Sequence, residues 1–230
     1  MKALAVPVCL LMAAMVPAHA QQGTFGIFAG QTTDRFGSLP SRSGVELGVD
    51  GQIAVLKSDP KKGGPNIVVG GEIRLPTDTQ DHSTEFAFFG GPEFVWHNLT
   101  IGAHAQLRKI YLPPSRVDNQ IFERNRMILL EIPLVVRYNF GPAKRAFIGA
   151  EGAPEFTPHW RSGGSLAGLP NPNLDHGYFV RGTVGYNFGK WYAKAIYENR
   201  YFKFVENAGN PTNLYNWKSN LIVGGVGFVF

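Results

Sequence analysis

The chain has 230 residues, a net charge of +5 and a single cysteine, and charged residues make up 17% of it. That charged fraction is well below the roughly 25% typical of soluble domains. The basic residues are dispersed along the chain, which gives nucleic-acid binding no support, and one cysteine provides neither a disulfide framework nor a thiolate metal site.

Residues 1–20 are predicted to be a secretory signal peptide. The segment starts with Met1-Lys2, continues as an apolar stretch to Val16, and ends in the small-x-small cleavage pattern of Ala18-His19-Ala20. The apolar stretch is shorter than the about 20 residues of a membrane-spanning helix. Cys9 lies inside the apolar run, which is a poor position for lipidation. Cleavage would leave residues 21–230, enough for one domain, and would lower the charge to +4 because Lys2 is lost.

From Thr24 onward, polar and apolar residues alternate in segments separated by turn-rich stretches, and no segment has a helical period. The pattern predicts an all-β fold, a single antiparallel up-and-down transmembrane β-barrel of about ten strands. Eight strands are the alternative if two weak segments are misread. Most segments have about the 9–11 residues of a tilted transmembrane strand. The predicted strands are 24–29, 44–56, 66–75, 85–96, 99–111, 127–140, 145–156, 177–188, 191–204 and 219–230.

The connections between these strands are predicted to alternate in length. Four are compact and five are generally longer and more polar. Short turns at one rim and long loops at the other are typical of bacterial outer-membrane barrels, where the short turns face the periplasm. The compact connections are 57–65, 97–98, 141–144 and 189–190, and the longer ones are 30–43, 76–84, 112–126, 157–176 and 206–218.

The last strand indicates which face meets lipid. Its apolar residues recur at every second position up to the terminal Phe230. The pattern is similar to the C-terminal signal by which outer-membrane proteins are recognised for assembly. The residues on this face are Ile222, Gly224, Val226, Phe228 and Phe230.

Aromatic residues gather near the strand ends, as in the girdles that outer-membrane barrels place at the two membrane interfaces. The predicted girdle at the short turns comprises Trp96, Tyr138, Phe140, Tyr186, Phe188, Trp191 and Tyr192. The predicted girdle at the long loops comprises Phe86, Tyr111, Tyr178, Tyr201 and Phe202.

Three prolines, Pro92, Pro133 and Pro154, fall inside predicted strands. Proline cannot donate a hydrogen bond to a strand ladder, and a closed barrel has no edge to accommodate it. We therefore predict bulges or strand-rim positions at these residues, and beyond each of them the sequence leaves the assignment of strand faces open.

The segment Glu131-Ile132-Pro133-Leu134-Val135-Val136-Arg137-Tyr138, followed by Phe140-Gly141 and by Phe147-Ile148-Gly149-Ala150, resembles the porin-family outer-membrane β-barrel domain of Bacteroidetes and related bacteria. The final Gly225-Val226-Gly227-Phe228-Val229-Phe230 is similar as well. The resemblance implies an outer-membrane barrel. It implies no substrate and no functional residue.

The opposite strand faces carry glutamate, arginine and histidine, which we predict to point into the lumen. One interpretation is an ion-pair network that fills a narrow barrel, because buried charges must be paired. The alternative is a small pore or binding cavity lined by these charges. The predicted network comprises Glu72, Arg74, Glu93, His104, Arg108, Glu131, Arg137, Glu151, Arg181, Lys194, Glu198 and Arg200, and the same faces carry Glu46, Asp50, Glu85 and Glu155.

Two short motifs in predicted outer loops, Asp81-His82-Ser83 and Asp175-His176, place a carboxylate beside a histidine. A carboxylate can orient a histidine as a general base. Neighbours in an extended loop point in opposite directions, however, so adjacent residues seldom form the pair. His82, His159 and His176 lack a fixed metal-ligand spacing, and we expect no catalytic residue, metal or cofactor.

The sequence thus predicts a monomeric, non-enzymatic protein of the bacterial outer membrane with a structural, surface-binding or narrow porin-like role. Its predicted partners are outer-membrane lipid and the barrel-assembly machinery, which would recognise Ile222, Val226, Phe228 and Phe230. Two alternatives stay open. One is an outer-membrane enzyme that acts on lipid or peptide through its outer loops, and the other is a soluble, secreted, lipocalin-like binder with an apolar interior.

Overall fold

A computed structural model describes residues 23–57, 64–79, 81–112, 115–117, 120–122, 125–162, 173–207 and 210–230. The predicted signal peptide lies outside these residues. Ten strands form the barrel wall: β1 (Gly23–Phe36), β2 (Arg42–Leu56), β3 (Pro65–Pro76), β4 (Thr84–Trp96), β5 (Leu99–Ala103 and Ala105–Tyr111), β6 (Asn125–Glu131 and Leu134–Phe140), β7 (Ala146–Ser162), β8 (Asn173–Asn187), β9 (Trp191–Asn207) and β10 (Asn210–Val229).

Each strand pairs with its sequence neighbours in antiparallel fashion, and β1 pairs with β10 to close the sheet. At the seam, the amide of Gly23 donates to the carbonyl of Phe230, and the amide of Phe230 donates back to the carbonyl of Gly23. The predicted ten-stranded up-and-down barrel is therefore confirmed.

Both described termini lie at the same rim as the β2–β3, β4–β5, β6–β7 and β8–β9 turns, which we call the turn rim. The opposite end is the loop rim. A short hairpin of Ser115–Val117 and Gln120–Phe122 lies at the loop rim between β5 and β6. The β6–β7 turn contains a single 3-10 turn, Pro142–Lys144, preceded by Gly141 at a φ of 77°. None of the described residues forms a helix long and apolar enough to cross a membrane.

Several strands continue beyond their predicted ends. The predicted 30–43 loop is wrong, because β1 runs to Phe36 and pairs with β2 and β10 along this length. The predicted 206–218 loop is also largely strand, since β10 starts at Asn210. In β1 the outward residues of this length, Gln31, Thr33 and Arg35, are polar, so the sequence resembles a loop although the backbone is paired on both sides.

The prolines do not shift the register, so the predicted bulges are wrong. Ala103 faces Leu134 on one side of Pro133, and Gln106 faces Glu131 on the other, at an unchanged register. The registers of the β3–β4 pair through Pro92 and of the β7–β8 pair through Pro154 are also continuous. A proline removes one donor from a ladder, whereas the carbonyl of Pro133 still accepts from the amide of His104 at 3.1 Å.

The outer wall carries an apolar belt next to the turn rim. On β10 the belt extends from Phe230 to Ile222, which is 62% exposed, while Leu221 and Val223 on either side of Ile222 are buried in the lumen. These eight residue steps measure about 27 Å along the strand at ~3.4 Å per residue, or about 21 Å perpendicular to the membrane at a ~40° tilt. The value is close to the ~25 Å apolar band of outer-membrane barrels.

The aromatic girdle at the turn rim is largely as predicted, with one correction. Trp96, Phe188 and Trp191 are 71%, 62% and 62% exposed, whereas Tyr192 is buried inside the barrel, where its ring covers Gly26 and Gly227. The second predicted girdle also needs one correction, because Phe202 is fully buried in the lumen. Both errors assigned a residue by its closeness to a turn, although strand parity places it on the inner face.

Candidate functional site

The lumen is the candidate functional site, because it contains a network of buried ionisable side chains and a cavity of about 880 Å³. All twelve residues of the predicted network lie on its inner wall. From the turn rim to the loop rim, the lumen has three parts: an open vestibule, a layer of ion pairs and a plug of apolar side chains.

The ion-pair layer consists of four arginines and seven glutamates that form one continuous network. Arg74 donates to both carboxylate oxygens of Glu198, at 2.7 and 2.6 Å, and also contacts Glu72. Because a planar guanidinium matches two carboxylate oxygens, this bidentate geometry is the strongest form of such a pair. The members are Arg74, Arg108, Arg181, Arg200, Glu46, Glu72, Glu85, Glu131, Glu151, Glu155 and Glu198.

The network crosses the lumen from wall to wall. Arg181 joins Glu72 at 2.9 Å, Glu151 at 2.8 Å and Glu198 at 2.6 Å. Arg200 donates to both oxygens of Glu85 at 2.7 Å. These pairs connect β3, β4, β7, β8 and β9, so they brace opposite sides of the barrel.

One aromatic ring lies within the same layer. Phe179 of β8 is 1% exposed, and the guanidinium carbons of Arg108 and Arg200 lie 5.5 and 5.7 Å from its ring centroid. The ring's negative face stabilises both cations. The layer is therefore packed.

The apolar plug fills the lumen between the ion-pair layer and the loop rim. Trp217 is fully buried and stacks on Phe202, with the ring centroids 5.0 Å apart, and on Phe36 at 5.8 Å. Such offset stacks add to the stability that area burial provides. The plug consists of Phe36, Ile110, Leu112, Met127, Leu129, Phe202, Phe204 and Trp217.

A buried polar pair borders the plug at the loop rim. His82 Nδ1 lies 2.7 Å from an oxygen of Asp34, and Trp217 Nε1 donates to the other oxygen at 3.0 Å. The hydrogen bond to Asp34 and the charge of that carboxylate raise the pKa of His82 above its ordinary value of 6.5. Asp34 therefore anchors the turn after β3 to both β1 and β10.

The two predicted Asp-His motifs differ in the structure. Asp81 pairs with Arg42 instead of with His82, and the Ser83 hydroxyl donates to Glu85 at 3.4 Å. Asp175 and His176 do contact each other, at 3.0 Å, on the outer surface. Among these described contacts, no hydroxyl nucleophile is hydrogen-bonded to either histidine.

The vestibule is a cavity of about 880 Å³ that runs from the ion-pair layer to the turn rim. Its wall contains a separate ion pair of Lys194 with Asp50, and His104 Nε2 lies 3.2 Å from a carboxylate oxygen of Glu93. Arg137 also lines it, and this side chain has no ion pair among the described residues. The vestibule ends blindly, because the ion-pair layer closes its inner end.

Sequence reasoning missed the plug and the Asp34–His82 pair. Both include residues of the segments that were predicted to be loops. A usable signal was present, because Thr32, Asp34 and Phe36 continue the inward alternation of β1 while Gln31, Thr33 and Arg35 continue the outward one.

The fold is similar to those of solved outer-membrane barrels. The outer membrane protease OmpT from Escherichia coli is 10% identical, with a TM-score of 0.47, over 91% of this chain and 96% of that one. Neisserial surface protein A is 12% identical, with a TM-score of 0.41, over 92% and 100%. The Pseudomonas putida toluene transporter TodX is 11% identical, with a TM-score of 0.32, over 93% and 72%.

No protein-family model matches the chain, and a search of curated proteins finds no match. The resemblance to the porin-family domain therefore stays a prediction. The assignment to the class of ten-stranded barrels depends on the strand pairing and closure of this chain itself.

Proposed function

We propose that this chain is a bacterial outer-membrane β-barrel with a non-enzymatic, structural or surface-binding role and a lumen through which solutes do not pass. The distribution of side chains supports a membrane location. The outer belt is apolar, and the arginines and glutamates turn inward. A soluble lipocalin-like binder needs the reverse distribution, with polar residues outside and an apolar interior.

The main observation that supports a closed lumen is the ion-pair layer beneath the apolar plug. Glu131, Glu155 and Arg200 of the layer are at most 1% exposed, as is Trp217 of the plug. Opening a path would separate charge pairs in a low-dielectric interior, which costs several kcal/mol for each uncompensated ion. The narrow porin-like interpretation therefore has less support than the structural one.

The shape of the wall supports a role at the cell surface. Beyond Ile222, the last apolar residue of the belt, β10 extends back for twelve residues to Asn210. This length corresponds to about 31 Å above the belt at ~3.4 Å per residue and a ~40° tilt. With the turn rim in the periplasm, the loop rim projects as a stalk into the surroundings of the cell.

Planar-bilayer recording tests the closed lumen. Protein whose insertion has been verified by co-flotation with vesicles and by heat-modifiable gel mobility should give no channel steps in repeated trials. Reproducible steps from the unmodified protein would overturn the proposal and favour the porin-like function.

Cysteine labelling of whole cells tests the topology. Asn216 is exposed on the stalk, and Lys190 is exposed at the turn rim. A membrane-impermeant maleimide should label Asn216→Cys in intact cells and Lys190→Cys only after permeabilisation. Equal labelling, or the reverse order, would contradict the proposed orientation.

The enzyme alternative has little support from the site. His82 is buried against Asp34, and the exposed Asp175–His176 pair has no hydroxyl partner among the described contacts. We therefore expect no turnover of peptides or phospholipids by the purified protein. An activity that His82→Ala or His176→Ala abolished would contradict this expectation.

A second candidate function is the binding of a small anionic solute in the vestibule, and one observation favours it. The guanidinium of Arg137 lines the cavity without an ion pair among the described residues, and its Nε is buried. Titration of the protein with inorganic phosphate tests this function. Saturable binding that Arg137→Gln removes would support this function. Equal heats of binding for the unmodified protein and the Arg137→Gln variant in calorimetry would exclude it.

A further inference from the structure

Two cations face each other directly on the outer surface of the barrel. Arg35 of β1 lies opposite Lys218 of β10 in the register that closes the barrel, and both side chains are exposed. Like charges at directly opposed positions destabilise a strand pair. Neither side chain has an ion pair with a carboxylate in the part of the chain that the structure describes.

The surroundings of this pair are also basic. Lys203 of β9 lies nearby on the outer face and pairs with Asp175 at 3.1 Å. Asp175 already contacts His176, and it is the sole carboxylate among the described outward residues of β1, β8, β9 and β10 above the apolar belt. Among the described residues, the patch therefore keeps an excess of positive charge that no carboxylate neutralises.

Tyrosines fix the level of the patch. Lys218 lies opposite Tyr201 in the β9–β10 register, with its Nζ 5.8 Å from the Tyr201 ring centroid. Tyr201 in turn stacks on Tyr178, with the centroids 5.7 Å apart. Amphipathic tyrosine rings prefer the headgroup level of a membrane. The cations therefore lie at the headgroup level on the loop-rim side of the belt.

We propose that Arg35, Lys218 and Tyr201 form a binding site for a phosphate group of a phosphorylated glycolipid in the outer leaflet. Opposed residues have Cα atoms about 4.5–5.5 Å apart, so both cations reach one phosphate, and the arginine fork matches its oxygens. A bound phosphate attracts both cations and so offsets the repulsion between Arg35 and Lys218. The inference depends on the proposed orientation, which puts this level in the outer leaflet.

The test compares thermal unfolding of the purified protein in detergent micelles with and without lipopolysaccharide. Lipopolysaccharide should raise the Tm of the unmodified protein by several degrees, and a dephosphorylated preparation should not. The double variant Arg35→Gln/Lys218→Gln should lose most of this increase. Arg145→Gln/Lys190→Gln, which removes two exposed cations from the turn rim, should keep it.

The same variants separate a lipid site from a purely structural role. Without lipopolysaccharide, Lys218→Gln should raise the Tm, because it removes the repulsion with Arg35. An unchanged lipopolysaccharide response in the double variant, or an equal response to the dephosphorylated preparation, would overturn the proposal. So would a full response to inorganic phosphate alone, which would indicate a site for free anions. Heat-modifiability and the labelling of Asn216→Cys report separately on the barrel and its orientation.

Discussion

Arg74 is the residue whose removal should damage the lumen most, because it joins more carboxylates than any other member of the ion-pair layer. It makes the bidentate pair with Glu198 and contacts Glu72, with Glu46 and Glu85 each at 3.8 Å. Arg74→Gln keeps much of the volume and a hydrogen-bonding group but removes the charge. Four carboxylates then lose part of their compensation in a site where Arg74 itself is 4% exposed.

The expected loss is about 3–5 kcal/mol in the free energy of unfolding, the range for breaking a buried ion pair by removal of one partner. Glu198 and Glu72 keep Arg181, which places the expectation in the lower half of that range. Urea unfolding in lipid vesicles, followed by tryptophan fluorescence, measures the difference. Trp217 above the layer provides a buried reporter.

Arg42→Gln is the matched control, since Arg42 forms an exposed pair with Asp81 at the loop rim. Exposed pairs contribute about 0–1 kcal/mol, so this variant should unfold almost as the unmodified protein does. A loss below about 1 kcal/mol for Arg74→Gln, or equal losses for the two variants, would refute the view that the layer stabilises the lumen.

Three further predictions concern His82, Pro133 and Phe230. Because Asp34 raises the pKa of His82, protonation of His82 should stabilise the fold below about pH 6.5, and this stabilisation should fade as the pH rises through the folded-state pKa. His82→Gln should flatten this part of the plot of urea midpoint against pH, and an unchanged plot would contradict the pairing. Pro133→Ala should change the free energy of unfolding by less than about 1.5 kcal/mol, because the variant regains one hydrogen bond of the strand ladder while its unfolded chain gains conformational freedom. A larger loss would show that the proline shapes the strand. Phe230→Ala should reduce the amount of barrel assembled in cells while purified protein still refolds in vesicles, and normal assembly would argue against a C-terminal signal.

The alternation of side chains was sufficient to predict the barrel and its inner face. In β5, Thr100, His104 and Arg108 point inward and Ile101 and Leu107 outward, as their parity requires. Between Leu99 and Arg108 each face of this strand has one character, so the period is visible in the sequence. Where both faces carry polar residues, as in the loop-rim end of β1, the same period was read as a loop.

The partners within the lumen were beyond reach of the sequence. Arg74 and Glu198 are 124 positions apart, and their pairing depends on the closure of the sheet and on its register. The Asp34–His82 pair shows the same limit, because the adjacent Asp81 is the tempting partner, yet its side chain turns to Arg42. Local sequence gives the face of a residue, whereas the barrel as a whole determines its contacts.

The most direct test of the account uses two adjacent valines of β6. Val136 is 44% exposed on the apolar belt, and Val135 lines the vestibule. The segment from residue 21 to 230 contains no cysteine, so Val135→Cys and Val136→Cys each carry one fluorescent label in protein from which residues 1–20 have been cleaved. In vesicles with brominated acyl chains, the label at 136 should be strongly quenched and the label at 135 should respond only to a water-soluble quencher. The opposite pattern would place the charged face against lipid and contradict the membrane barrel.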